Sequence, residues 1–346
     1  MGNMMTYSGI ATKVRAMSSR LLSDEDYRLM CRLASVSEAV QWLGQLPAYA
    51  DIFSRLGGQT LHRGEIERLL QKSLYADFNR LYLFSAPEPR QFLKLYFPHF
   101  EIKLLKQCLR SVFDSGQFSV DLSGSYEFFA KYSSLDLAAL SACHTLEELT
   151  EALHGTRYQP LFRRLLPIPH PTLFDYEMAL DLRYFSNIWR MKNRIFDGED
   201  RKLITEAFGS RLDLLNLQWI YRAKKYFQLE NEEIYPLLIP VHYRISDSTF
   251  QAMVEAETEE AFLQLAAGTG YAKAFQEEKG RPLNLEELYR NLLRRIYRSQ
   301  SRRMPYSAAC LNTYLFLKEE ELHDIVTVVE GIRYQLPAAE IYEFIR

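Results

Sequence analysis

Four arginines recur at every fourth position late in the chain: Arg290, Arg294, Arg298 and Arg302, with Arg295 and Arg303 beside them. On a helix, positions four apart lie almost above one another, so these guanidinium groups form a slowly winding stripe. The chemistry such a stripe offers is electrostatic docking rather than bond-making. Three readings fit it: a solvated outer face, a docking surface for an acidic protein partner, or a nucleic-acid contact. Nucleic acid is disfavoured, because no known nucleic-acid module accompanies the stripe. The formal net charge of −2 and a pI near 6.4 also supply no bulk electrostatic drive toward phosphate backbones or anionic lipid.

Other residues with reactive chemistry do not converge. The seven histidines, His62, His99, His144, His154, His170, His242 and His323, form no HExxH pair. Cys31, Cys108, Cys143 and Cys310 are far apart with no CxxC, which reads as buried free thiols in a reducing compartment. There is no GxxxxGK[ST], GxGxxG or GxSxG, and Gly268-Thr269-Gly270 reads as a helix break. The acid clusters Glu255/Glu257/Glu259/Glu260 and Glu319/Glu320/Glu321 read as solvated first turns of helices, where acids favour the macrodipole. These patterns predict no catalytic residue, no cofactor and no metal site.

The elements that must carry these residues are helical and repeated. In Tyr314–Tyr334, apolar Leu322, Ile325, Val329 and Ile332 fall on one helical stripe. The pattern returns as Leu214, Leu217, Tyr221 and Lys224, and again as Ile102, Leu105, Leu109 and Val112, each preceded by an acid: Glu321, Asp213 and Glu101. An independent pair recurs on nearly the same spacing, a Tyr four before a Phe: Tyr49/Phe53, Tyr158/Phe162 and Tyr271/Phe275. Long helical patterns over 63–82, 172–191 and 285–299 complete each copy, the last with apolar Leu288, Leu292 and Ile296, and a helical pattern over 91–113 carries the first copy of the stripe. The period exceeds that of solenoid repeats, so each copy is read as a small helical domain. The expected boundaries are 1–117, 118–229 and 230–346, the first in the Gly/Ser-rich DSGQFSVDLSGS and the second in QLENEE.

Composition agrees with an all-α chain. Of 346 residues, 47% are hydrophobic and 25% charged, with only 13 prolines and 15 glycines, too few for an all-β chain with many turns. The 22 tyrosines and 21 phenylalanines suit helix–helix cores. No apolar run approaches the roughly 20 residues of a membrane helix. The first residues lack the apolar segment of a secretory signal.

The sequence resembles the C-type subunit of the prokaryotic V-type (A/V-type) ATPase, equivalent to the eukaryotic d or AC39-type subunit. The residues that carry the likeness are YLFLKEEELHD at 314–324 with IVTVVEGIR at 325–333, LLNLQWIYR at 214–222, YPLLIP at 235–240, and YSGIATKVRAMSSRLL at the start. Leu104 departs from the Asn that many members carry after Glu-Ile-Lys. Glu330 stands where the other copies have Arg110 and Arg222. The resemblance implies three similar helical domains in a pseudo-threefold funnel. It implies a non-catalytic central-stalk subunit that joins the shaft subunits of D and F type to the proteolipid ring of the membrane rotor. It also implies a cytoplasmic position, peripheral to the membrane. The alternative is a helical scaffold or adaptor of another complex, with Arg290, Arg294, Arg298 and Arg302 docking an acidic partner.

Overall fold

The computed structural model describes residues 2–56, 59, 61–114, 121–277 and 284–345; the expected boundary at 117 lies outside them. Among the described residues every regular element is a helix and there is no strand. The protein is all-α. Its chain divides into two compact units, one of Met1–Leu93, Asp121–Ser133 and Cys310–Arg346, the other of Lys94–Val120 and Ser134–Ala309.

In the first unit, local sequence sets the helix starts. Ser23 caps Asp24–Met30 in a capping box with Asp26, and Ser35 caps Val36–Leu43 by accepting from the Glu38 N–H. The long helix Arg63–Phe84 buries Ile66, Leu70, Leu74, Phe78 and Leu81, a stripe of three- and four-residue steps. Aromatic rings extend this core: Tyr75 stacks on Phe128 at 4.2 Å, and Phe78 meets Phe128 edge-on at 5.7 Å. The helix Ala308–Arg333 buries Leu322, Ile325, Val329 and Ile332, all four positions of the predicted stripe. Gly331 lets the short helix Ala338–Phe344 approach closely, since a Cβ there would stand 2.6 Å from Cγ1 of Ile341.

Two expectations change here. Glu319–Glu321 do not begin a helix. The helix starts at Ala308, just after Pro305, which places the three acids in mid-helix, and Glu321 is 4% exposed. The helical pattern over 91–113 is two helices, Pro87–Tyr96 and Pro98–Phe113. Pro98 has no N–H to continue the first and serves as a first-turn residue of the second.

The second unit uses the same grammar twice. Asp136, Thr145, Thr172, Ser246, Thr258 and Asn284 each accept backbone N–H groups at the start of a helix. Its long helices are Pro98–Phe113, Leu173–Ile195, Gly198–Lys225 and Leu285–Arg303. The predicted stripes are buried at Ile102, Leu105 and Leu109 and at Leu214, Leu217 and Tyr221, while Val112 and Lys224 at their ends are only half-buried. On Leu285–Arg303 the buried side is Leu285, Leu288, Leu293, Tyr297 and Gln300. Leu292 and Ile296, expected on it, are half-buried.

Candidate functional site

The tyrosines and acids that recur in the sequence meet in space. Tyr158 Oη donates to Glu101 Oε2 at 2.7 Å, Tyr271 Oη to Asp213 Oδ2 at 2.9 Å, and Tyr49 Oη to Glu321 Oε1 at 2.5 Å. All six side chains are buried. Their order along the chain is offset: each acid clasps the tyrosine that follows it by 57 or 58 residues, and Glu321, the last acid, clasps the first tyrosine, 272 residues before it.

Each carboxylate gathers further donors. Asp213 accepts from the backbone N–H groups of Tyr243 at 3.1 Å and Arg244 at 2.7 Å, just before the Asp247–Glu255 helix. Glu321 accepts from the N–H of Leu22 at 2.5 Å, just before Asp24–Met30. Glu101 has the Arg157 guanidinium at 3.5 Å. The approach to the tyrosine is shared as well. Thr156 and Thr269 each bond back to a carbonyl three residues earlier and accept the N–H of Tyr158 and Tyr271. The first tyrosine has Pro47 at that position, and its own N–H bonds to the carbonyl of Leu46.

Electrostatics keep these phenols neutral. Burial, reinforced by the facing carboxylate, pushes Tyr158, Tyr271 and Tyr49 well above the ordinary phenol value. Burial also raises Asp213, against the opposing pull of its N–H donors. A neutral donor held against an acceptor whose lone pairs are already engaged is a structural clasp, not an acid–base pair poised to exchange protons. The first clasp contains a group that the recurring pattern does not reveal. Lys318 Nζ lies 2.7 Å from Tyr49 Oη and 2.9 Å from Glu321 Oε1, with 1% of its side chain exposed. The corresponding place beside the other acids is Pro98 and Ser210, so the repeat itself gives no signal for a lysine there.

The arginine helix is set with its apolar side inward. Tyr297 Oη donates to the Ala207 carbonyl at 3.4 Å, and Gln300 Nε2 donates to the Leu203 carbonyl at 3.1 Å and to Glu206 at 2.9 Å. Glu206 also takes Arg303 at 3.1 Å and Arg244 at 3.3 Å. Of the predicted residues, Arg290 and Arg294 are half-buried, whereas Arg298 and Arg302 are exposed. Partial burial lowers Arg298 from its ordinary value, with Arg294 and Arg302 adding like-charge repulsion. Arg298 therefore sits between like charges, and the exposed part of the stripe is its C-terminal half. Among the described residues no group of acids, histidines and cysteines is arranged to hold a metal ion, and no helix is long and apolar enough to cross a membrane.

Residues 10–344, a span that includes all three clasps, match the family described as ATP synthase (C/AC39) subunit. The chain belongs to that family. Similar proteins include the C-type subunit of the A-type ATP synthase of Pyrococcus abyssi, 26% identical over 98% of this chain and 90% of its own length. Its namesake in Pyrococcus horikoshii is 28% identical over the same shares, and that of Methanocaldococcus jannaschii is 21% identical over 97% and 85%. The family is an accessory subunit of a rotary ATP synthase and not its catalytic one, in line with carboxylates committed to clasps.

Proposed function

We propose that the protein is a non-catalytic central-stalk subunit that couples the D- and F-type shaft subunits to the proteolipid rotor ring during ion transport. The observation that carries the reading is the family match over residues 10–344, which spans all three tyrosine–carboxylate clasps. The physical chemistry agrees. A part that passes torque needs stiffness, which close-packed helices and buried, hydrogen-bonded side chains supply, and it needs no activated nucleophile.

Within this reading the chain is three modules, each built around one tyrosine–carboxylate clasp, disposed as a pseudo-threefold funnel on the cytoplasmic side of the ring. The sequence copies 1–117, 118–229 and 230–346 are the same modules counted out of phase, because each acid-bearing helix packs with the tyrosine of the next copy. Arg290, Arg294, Arg298 and Arg302 form the docking line for an acidic surface of a partner subunit, with Arg298 and Arg302 making the direct contacts. Reconstitution tests both statements. The tagged chain should recover shaft subunits and the proteolipid ring from detergent-solubilised membranes, and R298E/R302E should release one of them while the protein keeps its helical spectrum. Recovery of soluble partners from outside the synthase would instead make it a scaffold.

A further inference from the structure

A second basic feature lies away from the arginine helix, within the second unit. A pocket of about 430 Å³ is walled by Pro98 and Ile102 of one helix, by Arg157 and Tyr158, and by Arg183, Tyr184, Ser186, Asn187 and Arg190 of the Leu173–Ile195 helix. That volume lies in the range of small-molecule sites. Three arginines line the pocket, and the carboxylate beside one of them, Glu101 next to Arg157, is already clasped by Tyr158. Arg157 shares Glu101 at 3.5 Å, and among the described residues Arg190 donates only to the neutral Asn187, at 3.3 Å. Arg183 is exposed and makes no ion pair among the described residues. Arg183 and Arg190 are seven apart, two turns along one helix face, while Arg157 comes from a separate segment, just before the Gln159–Leu165 helix.

The corresponding place in the first unit shows that this charge is not required by the packing. The long helices begin at Arg63 and Leu173, so Arg80 is the counterpart of Arg190. Arg80 is neutralised by Asp77 at 3.2 Å and Asp51 at 3.6 Å. The counterparts of Arg157 and Arg183 there are Ala48 and Ser73. The second unit thus adds two arginines, has Pro98 where the first has the carboxylate-paired Lys318, and replaces the neutralising acid Asp77 with Asn187.

We propose that this pocket binds a phosphate-bearing small anion, between pyrophosphate and a nucleoside diphosphate in size. A planar carboxylate takes one guanidinium fork, whereas a phosphate offers oxygens in several directions and can accept from arginines of separate segments at once. Ser186 and Asn187 add neutral donors, and the Tyr158 and Tyr184 rings supply apolar wall. Binding here does not depend on the rotor reading.

The test is isothermal titration calorimetry on the full chain with sodium pyrophosphate and with ADP, and co-sedimentation with phosphatidylglycerol vesicles to separate a free anion from a lipid headgroup. Saturable one-site binding is expected from pyrophosphate or ADP, or from vesicles alone if the phosphate is a lipid's. R183A and R190A should each weaken it by roughly tenfold, and R298A/R302A, outside the pocket, should leave it unchanged. Both substituted residues are exposed, and thermal melting checks that the variants stay folded. Absence of saturable binding in every arm overturns the proposal. So does equal weakening by R298A/R302A, or binding of a hexaglutamate peptide as tightly as pyrophosphate.

Discussion

Replacing Glu321 by Gln and Lys318 by Met, singly and together, examines the first clasp. Both charges are nearly inaccessible, at 4% and 1% side-chain exposure, and they lie 2.9 Å apart with Tyr49 Oη touching both. E321Q leaves an ammonium buried with neutral partners only, and breaking a buried pair in this way costs about 3–5 kcal/mol. K318M leaves a carboxylate that still accepts from Tyr49 and from the Leu22 N–H, so its cost is smaller, about 1–3 kcal/mol. The double variant has no buried charge, and its amide oxygen can still accept from Tyr49. It should be more stable than E321Q alone, with a coupling of at least about 2 kcal/mol. Urea unfolding at neutral pH gives the ranking, and amide exchange over residues 314–334 shows whether the loss is local to that helix. If the two costs simply add, or the double variant is the least stable of the three, the lysine and glutamate do not act as a pair.

Burial holds Asp181 above its ordinary value of 3.8 despite Lys106 at 2.7 Å. Its stabilising contribution is therefore complete below 3.8 and is lost as pH rises through the raised folded value. The stability of the wild type relative to D181N should accordingly grow as pH is lowered from neutral toward about 4, and urea midpoints across that range that stay parallel would refute this. Gly209 lies in a helix interior, where alanine ordinarily gains about 1 kcal/mol, but a Cβ there would stand 2.5 Å from Cγ of Tyr243. G209A should lose roughly 1–2 kcal/mol net, and a rise in melting temperature would contradict the close approach. Burial raises the thiols of Cys31 and Cys143 and pushes Cys108 up to about 12. A thiol reagent should label the half-buried Cys143 first, and Cys31, Cys108 and Cys310 only on unfolding, with mass spectrometry reading the order.

Much of this fold is legible in the sequence because burial writes a period. Leu322, Ile325, Val329 and Ile332 announce their helix by spacing alone, and capping residues such as Ser35, Thr145 and Thr258 mark where short helices begin. Recurrence also picks out Tyr49, Tyr158 and Tyr271 and the acids Glu101, Asp213 and Glu321 as two separate sets. Their pairing is hidden because a hydrogen bond across 57 or 272 residues leaves no local trace. The Glu319–Glu321 cluster misleads for a related reason: acids in a first turn and acids in mid-helix look alike unless the true start, eleven residues before Glu319 at Ala308, is recognised. The pocket around Arg183 and Arg190 draws on a loop and two helices, and nothing in the spacing of Arg157 from Arg183 predicts that they face one cavity.

The clasp between Glu321 and Tyr49 has a consequence for how the molecule is made. A ribosome delivers residues 1–93 first, yet their unit is closed only when 310–346 emerge, roughly 200 residues later. At about 5–20 residues per second this is a delay on the order of 10–40 s. Throughout it the apolar groove that the Ala308–Arg333 helix fills stands open, while both clasps of the second unit can already form. The first unit is therefore begun before the second and completed after it, and a nascent polypeptide stalled short of residue 310 presents that unit's unfinished core to chaperones and proteases.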